Sequence, residues 1–282
     1  MTTRRASKPP HAALPALIVC GVLVVGCGLE PSTTAIVLLC LCASAVVVAG
    51  RGRHRRARLE AELLRRAIAS GRHRSIELRL RRELQMAQAG EVISIERQWL
   101  ARAQLGGLLV AEWRLGEAAE VYALPSPKLS PHLQALATYG QHELEVLATP
   151  PNQERLLAIR RDRNACLRLV PATYRHTVAR AWYALEGLCL ARMGQARLAV
   201  QQLEAGLESL GYNPARVVYL YHLAQGHESL GHLDVAARYY RLACEAFPGT
   251  RLASDAAARL RQLEERSGGG IFRQMLPEAP AG

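Results

Sequence analysis

The sequence predicts an all-α chain, with a transmembrane helical hairpin at its N-terminus followed by a solenoid of helix pairs. Three observations carry that expectation. Two apolar stretches, Ala13 to Leu29 and Ala35 to Gly50, are separated by a short polar turn in which Glu30 is the only charged side chain. Beyond Gly50, apolar residues recur at helical spacing, and a motif of apolar helix, then Leu or Met, then Gly returns three times. No alternating run of Val, Ile and Thr after Gly50 is long enough for a convincing strand, Glu91 to Glu96 being the one weak candidate.

Residues 1–12 form a basic N-terminus, and 13–50 the hairpin, its turn at 29–34. Hydrocarbon offers no water to backbone amides, so a crossing chain satisfies them internally, as two helices joined by a tight turn do. Each stretch is near the lower end of the roughly 17 to 25 residues that span a bilayer. A shallow re-entrant hairpin is the competing arrangement. Arg4, Arg5 and Lys8 precede the first helix, while Arg51, Arg53, Arg55, Arg56 and Arg58 follow the second. Basic flanks stay on the cytoplasmic side, so both termini and everything after the hairpin are expected there. Val24-Val25-Gly26-Cys27 is similar to a bacterial lipobox and offers a second reading, a lipidated Cys27. Even a cleaved product keeps the second stretch and the arginine block behind it.

The net charge of +12 is unevenly placed. Residues 51–82 are dense in arginine, opposed only by Glu60, Glu62 and Glu77. Near an anionic leaflet each basic residue contributes on the order of 1 kcal/mol, so Arg51, Arg53, Arg55, Arg56 and Arg58 are candidate lipid-headgroup contacts as well as topology signals. Nucleic acid is disfavoured, because no aromatic residue interleaves the block and no reading motif accompanies it. Seven cysteines, four of them (Cys20, Cys27, Cys40, Cys42) in the hairpin and Cys166, Cys189 and Cys244 scattered singly, give neither a disulfide framework nor metal-ligand spacing. Lysine is confined to Lys8 and Lys128 while alanine is abundant, which points to a GC-rich bacterial genome and hence to the bacterial inner membrane.

Residues 51–100 read as basic juxtamembrane helices. Leu59, Leu63 and Ala67 recur at helical spacing with Glu62 and Arg66 as an i,i+4 pair; Gly71 interrupts, and Ile76, Leu80 and Leu84 resume the stripe beside Glu77 and Arg81. Such a stripe packs on the next element or on a second copy of the chain. The internal repeat occupies 101–250. Leu108 to Gly116, Glu186 to Gly194 and Leu223 to Gly231 each read as an apolar helix closed by Leu or Met and then Gly, the residue best able to take the left-handed conformation. After Gly194 come Ala199, Leu203 and Gly206; after Gly231 come Ala236, Tyr240, Ala243 and Pro248.

On these residues the chain resembles the tetratricopeptide-repeat family, whose unit is two antiparallel helices of about 34 residues. The match is strongest over Val217 to Thr250 and good over Arg180 to Asn213, although Glu186 stands where the family prefers Leu and Gly211 replaces the closing Pro. It is weak over Ala101 to Ser130. Between Gly116 and Gly194 spacing leaves room for one degenerate pair, with helices near Pro131 to Leu147 and Gln153 to Leu169 and no glycine turn. Residues 251–266 read as a polar-faced closing helix, as a solenoid end requires. A flexible tail, 267–282, carries Ile271 to Leu276, a candidate docking motif.

The resemblance implies a concave groove, lined by the first helix of each pair, that takes a peptide or a partner's helix. Arg192, Tyr221, His222, Gln225 and Ser229 are the candidate groove residues. Where relatives that clamp chaperone tails carry Lys and Asn, this sequence has Ala184, Leu188, Tyr221 and Gln225, which argues against that ligand. The chain has no glycine-rich phosphate loop, no His-Glu-x-x-His, no Cys-x-x-Cys and no serine in a nucleophile elbow, so neither an enzyme nor a cofactor is expected. His222, His227 and His232 are suggestively spaced, but no acid completes a metal site. The expected function is a membrane-anchored scaffold or adaptor that binds a protein or peptide at the cytoplasmic face. The alternative is an accessory subunit of a membrane enzyme or transport complex that meets its partner through the hairpin, whose Gly21, Gly26, Gly28, Ala43 and Ala45 permit close helix contact. Self-association is open to either.

Overall fold

A computed structural model of the chain divides it into two units, 1–61 and 62–282. It describes residues 72–266 except 92, 125–128 and 212, together with 66 and 70, all of them in the second unit. Every regular element among these is a helix, and none is a strand.

The first, α1 (His73–Gln88), buries Ile76, Leu80 and Leu84 against α2 (Ile95–Ala111), so that part of the stripe is consumed inside the fold. The other part, Leu59, Leu63 and Ala67, lies outside the described residues. Glu77 and Arg81 pair at 2.8 Å as the spacing suggests, and Arg114 and Glu117 extend the pair into a four-membered cluster. Of the weak strand candidate at Glu91 to Glu96, residues 91, 93 and 94 are irregular, and Ile95 and Glu96 begin α2. Ser94 accepts a hydrogen bond from the Arg97 amide at 3.2 Å, satisfying an amide that the first turn orphans.

Next come α3 (Leu115–Ala123), α4 (Pro131–Ala148) and α5 (Gln153–Leu169). Pro131 opens α4 where its missing N–H costs nothing, and the Asn152 side chain caps α5 by accepting from the Arg155 amide at 2.9 Å. The middle pair thus turns through Thr149 to Asn152 without a glycine. Then follow α6 (Ala172–Arg192), α7 (Ala196–Gly206), a 3-10 turn at Leu207–Leu210, α8 (Arg216–Ser229), α9 (Leu233–Ala246) and α10 (Arg251–Arg266). Each of these helices packs on its chain neighbour. The closing helix buries Leu252, Ala253, Ala256 and Leu263, while Arg251, Asp255, Arg261, Glu265 and Arg266 are exposed.

Three of the connections are one turn made three times. The amides of Arg114, Gln195 and His232 donate to the carbonyls of Leu109, Leu190 and His227, five residues back, at 2.8, 3.0 and 2.9 Å. The residue before each of those donors has positive φ: Trp113 at 59°, Gly194 at 77° and Gly231 at 76°. This bonding closes a helix end through a left-handed residue. The first turn therefore sits at Trp113 and not at Gly116, which lies inside α3. Sequence alignment on glycine misplaced it because an aromatic residue holds the conformation that glycine holds in the other two.

Between α6 and α7 the backbones nearly touch. A Cβ on Gly206 would stand 2.5 Å from the Ala184 amide nitrogen, and one on Gly187 2.7 Å from that of Leu203. Residues 184 and 187 meet 206 and 203 respectively, so the two helices run antiparallel. Glu186, the departure from the apolar preference, is buried on α6 and held by Arg160 at 2.5 Å and Arg163 at 2.9 Å, both from α5. An ion pair there does the joining that an apolar side chain would do.

The expectation of a multi-pass inner-membrane protein is corrected. Among the described residues no helix is long and apolar enough to cross a membrane. The longest, α6, spans 21 residues but carries Arg175, Arg180, Glu186 and Arg192 along it. The two stretches that suggested the hairpin, 13–29 and 35–50, lie outside the described residues, as do Cys27 and the candidate headgroup contacts Arg51, Arg53, Arg55, Arg56 and Arg58. The tail motif, Ile271 to Leu276, lies outside them too.

Two substitutions separate glycines used for packing from one that is not. Gly206→Ala is expected to cost about 1 to 3 kcal/mol, because its methyl group meets backbone that cannot yield. Gly116→Ala, whose added Cβ meets nothing within 4 Å, is expected to stabilise by up to about 1 kcal/mol through helix propensity. Urea unfolding of the two variants reads both signs. For the ion pair, removing both Arg160 and Arg163 as alanines leaves a buried carboxylate uncompensated and is expected to cost about 3 to 5 kcal/mol. Glu186→Leu should cost clearly less, and an equal or larger loss in the same assay would contradict this account.

Candidate functional site

Helix α8 projects residues into the first of two cavities in the fold. The first, of about 550 Å³, lies where α8 meets the end of α6, the start of α7 and α10. His222, Gln225 and Ser229 line it, spaced by three and four residues on one face of α8. Glu228 from the same helix and Arg259 and Arg266 from α10 complete its polar wall. Arg266 approaches Glu228 at 3.7 Å and remains largely exposed. Burial, then the neighbouring Arg192 charge, pushes His222 down to about 4, so its imidazole is neutral at physiological pH and brings no charge of its own. The Ser229 hydroxyl donates to the Gln225 carbonyl at 2.9 Å.

Three of the five residues proposed from sequence thus share this cavity, and two stand beside it. Arg192 is turned toward α4, where it donates to the Leu147 carbonyl at 3.0 Å. Tyr221 packs edge-on against His222 and Tyr240, with ring centroids 5.7 Å apart in both cases. Ala184 and Leu188 are fully buried and offer no clamp for a carboxylate tail. His227 reaches Glu204 at 3.2 Å and stacks on Tyr239, and among the described residues no group of three His, Cys, Asp or Glu side chains is placed to hold a metal ion. Cys166 and Cys189 are buried thiols, and burial raises the pKa of both.

Sequence reading missed the second cavity. It measures about 340 Å³ and is bounded by Trp99 of α2, Tyr122 of α3, Tyr139, Gly140 and Glu143 of α4, and Trp182 of α6. Aromatic residues make up only 5% of the chain, so four around one space is a concentration that composition does not explain. Tyr122 fills a slot between two glycines: a Cβ on Gly106 would lie 2.5 Å from its ring, and one on Gly140 2.9 Å. The Tyr139 and Trp182 rings meet at 90°, centroids 5.6 Å apart.

At the back of this cavity Glu143 is only 2% exposed. The Tyr219 hydroxyl of α8 donates to its Oε1 at 2.5 Å and stands 2.7 Å from the Tyr139 hydroxyl. No basic side chain among the described residues acts on this carboxyl, and desolvation, partly opposed by the Tyr219 hydrogen bond, lifts it to about 7. Burial also drives the Tyr122, Tyr139 and Tyr219 phenols upward, so they stay neutral hydrogen-bonding groups. The signal available in the sequence was one acidic residue among the apolar positions of α4. Its partner lies 76 residues away, beyond the reach of any local pattern.

A buried acid with a raised pKa makes the fold pay at high pH. Between the ordinary value of 4.5 and about 7 the unfolded chain has released its proton while the folded chain keeps it, so stability falls as pH rises through that window. The loss approaches roughly 3 kcal/mol above it. Glu143→Gln is expected to leave stability near pH 4.5 almost unchanged and to raise it at pH 8, by urea unfolding at the two pH values. A variant no more stable than the parent at pH 8 would refute the assignment.

No protein-family model, curated protein or solved structure matches this chain.

Proposed function

We propose that the chain is a tetratricopeptide-like scaffold or adaptor whose 550 Å³ cavity receives an acidic peptide segment of a protein partner. Paired helices closed by left-handed turns, with small residues where they approach, support the repeat reading. The observation that carries the binding reading is the convergence of His222, Gln225 and Ser229 from one face of α8 on a space that also holds Arg259 and Arg266. Two guanidiniums against one Glu228 leave an excess of positive charge, while Gln225 and neutral His222 supply orientation. A carboxylate side chain is the group that such a wall recognises, since arginine donates a planar fork of hydrogen bonds that matches it.

A peptide display library selected against the full-length chain tests this reading. Sequences enriched in Asp and Glu are expected, and Arg259→Glu combined with Arg266→Glu should weaken their binding at least tenfold, by fluorescence anisotropy at low salt. Selection of no sequence family, or of basic ones, would reject it.

A further inference from the structure

The second cavity has two ingredients of cation recognition, aromatic walls and a carboxyl group. Trp99, Tyr122, Tyr139 and Trp182 bound it, and the Tyr139 and Trp182 rings meet edge to face at 90°. Aromatic faces carry the negative end of the ring quadrupole and attract ammonium groups, most strongly where water is excluded. Glu143 lines the same space, buried, with one hydrogen bond from Tyr219 and no basic partner among the described residues. Thr177 and Leu100, both exposed, also line it, so it opens to solvent. Its volume of about 340 Å³ is in the range of small-ligand sites.

We propose that this cavity binds a small organic ammonium ion, its cationic head held by the aromatic walls and charge-paired with the Glu143 carboxylate. Interior acids are ordinarily paired with a base, as Glu186 is by Arg160 and Arg163 in the same helix stack. Glu143 has no such partner among the described residues, and a cationic ligand supplies it. The occupant is a different one from the acidic peptide of the first cavity, with opposite charge and different lining residues. Binding selects the ionised carboxyl, so affinity should climb as pH passes upward through about 7. The other titratable groups facing Glu143 are Tyr122 of α3, Tyr139 of α4 and Tyr219 of α8, and burial keeps all three protonated in that range.

The test compares choline with 3,3-dimethyl-1-butanol, its uncharged carbon counterpart of the same shape, by titration calorimetry on the full-length chain. Choline is expected to bind at least tenfold more tightly, with affinity higher at pH 8 than at pH 6. Glu143→Gln keeps an oxygen acceptor for the Tyr219 hydroxyl and should erase most of that preference while leaving the helical circular dichroism unchanged. Trp99→Leu keeps the wall apolar but removes a π face, and should weaken choline several-fold more than the alcohol. Equal affinity for the two compounds, no binding of either, or a preference that survives in both variants would overturn the proposal.

Discussion

How closely two helices approach is the constraint on which the rest of this structure depends. Where α6 meets α7, Gly187 and Gly206 put bare backbone opposite the neighbour's backbone, and no side chain fits between. At that distance the flanking positions interlock, so Ala184, Leu185, Leu188, Ala199 and Leu203 are almost wholly withdrawn from water. Burial of this kind is the dominant favourable term in folding, and it is lost if the axes separate by even a methyl group. Gly106 and Gly140 use the same device differently. They leave room for a ring, Tyr122, in place of a neighbouring backbone.

Against this apolar background the two interior acids behave oppositely. Glu186 faces α5, whose Arg160 and Arg163 reach it while keeping part of their own length in water. Its charge is therefore settled by the fold. Glu143 faces α8, where among the described residues only phenols are within reach, and a phenol relieves a carboxylate far less than a guanidinium does. The contrast comes from which helix lies opposite, since both acids sit on the first helix of a pair.

Local order was legible in the sequence. The middle pair was expected at 131–147 and 153–169 and is found at Pro131–Ala148 and Gln153–Leu169, because Pro131, Asn152 and the Pro150-Pro151 step mark helix ends through backbone chemistry alone. The turn at Trp113 was misplaced, since nothing in residue type announces an aromatic side chain in a left-handed conformation. Helical spacing put His222, Gln225 and Ser229 on one face of a helix, and they line one cavity, but it could not show that Arg192 bonds to the Leu147 carbonyl. The aromatic cavity was out of reach, because it exists only once three successive helices, α2 to α4, and the later α6 are brought around one point.

That meeting alters how the helices depend on one another. In a simple row of helix pairs each pair touches only the next, and trimming one end spares the other. Here α8 also contacts α2, with Asn213 and Ala215 pressed against Gly107, and Tyr219 ties α8 to α4 through Tyr139 and Glu143. Early and late segments share an interior that neither can complete by itself. A chain emerging from the ribosome must therefore hold its first pairs half-finished until the fourth arrives, and cooperativity spans the described helices rather than decaying along them.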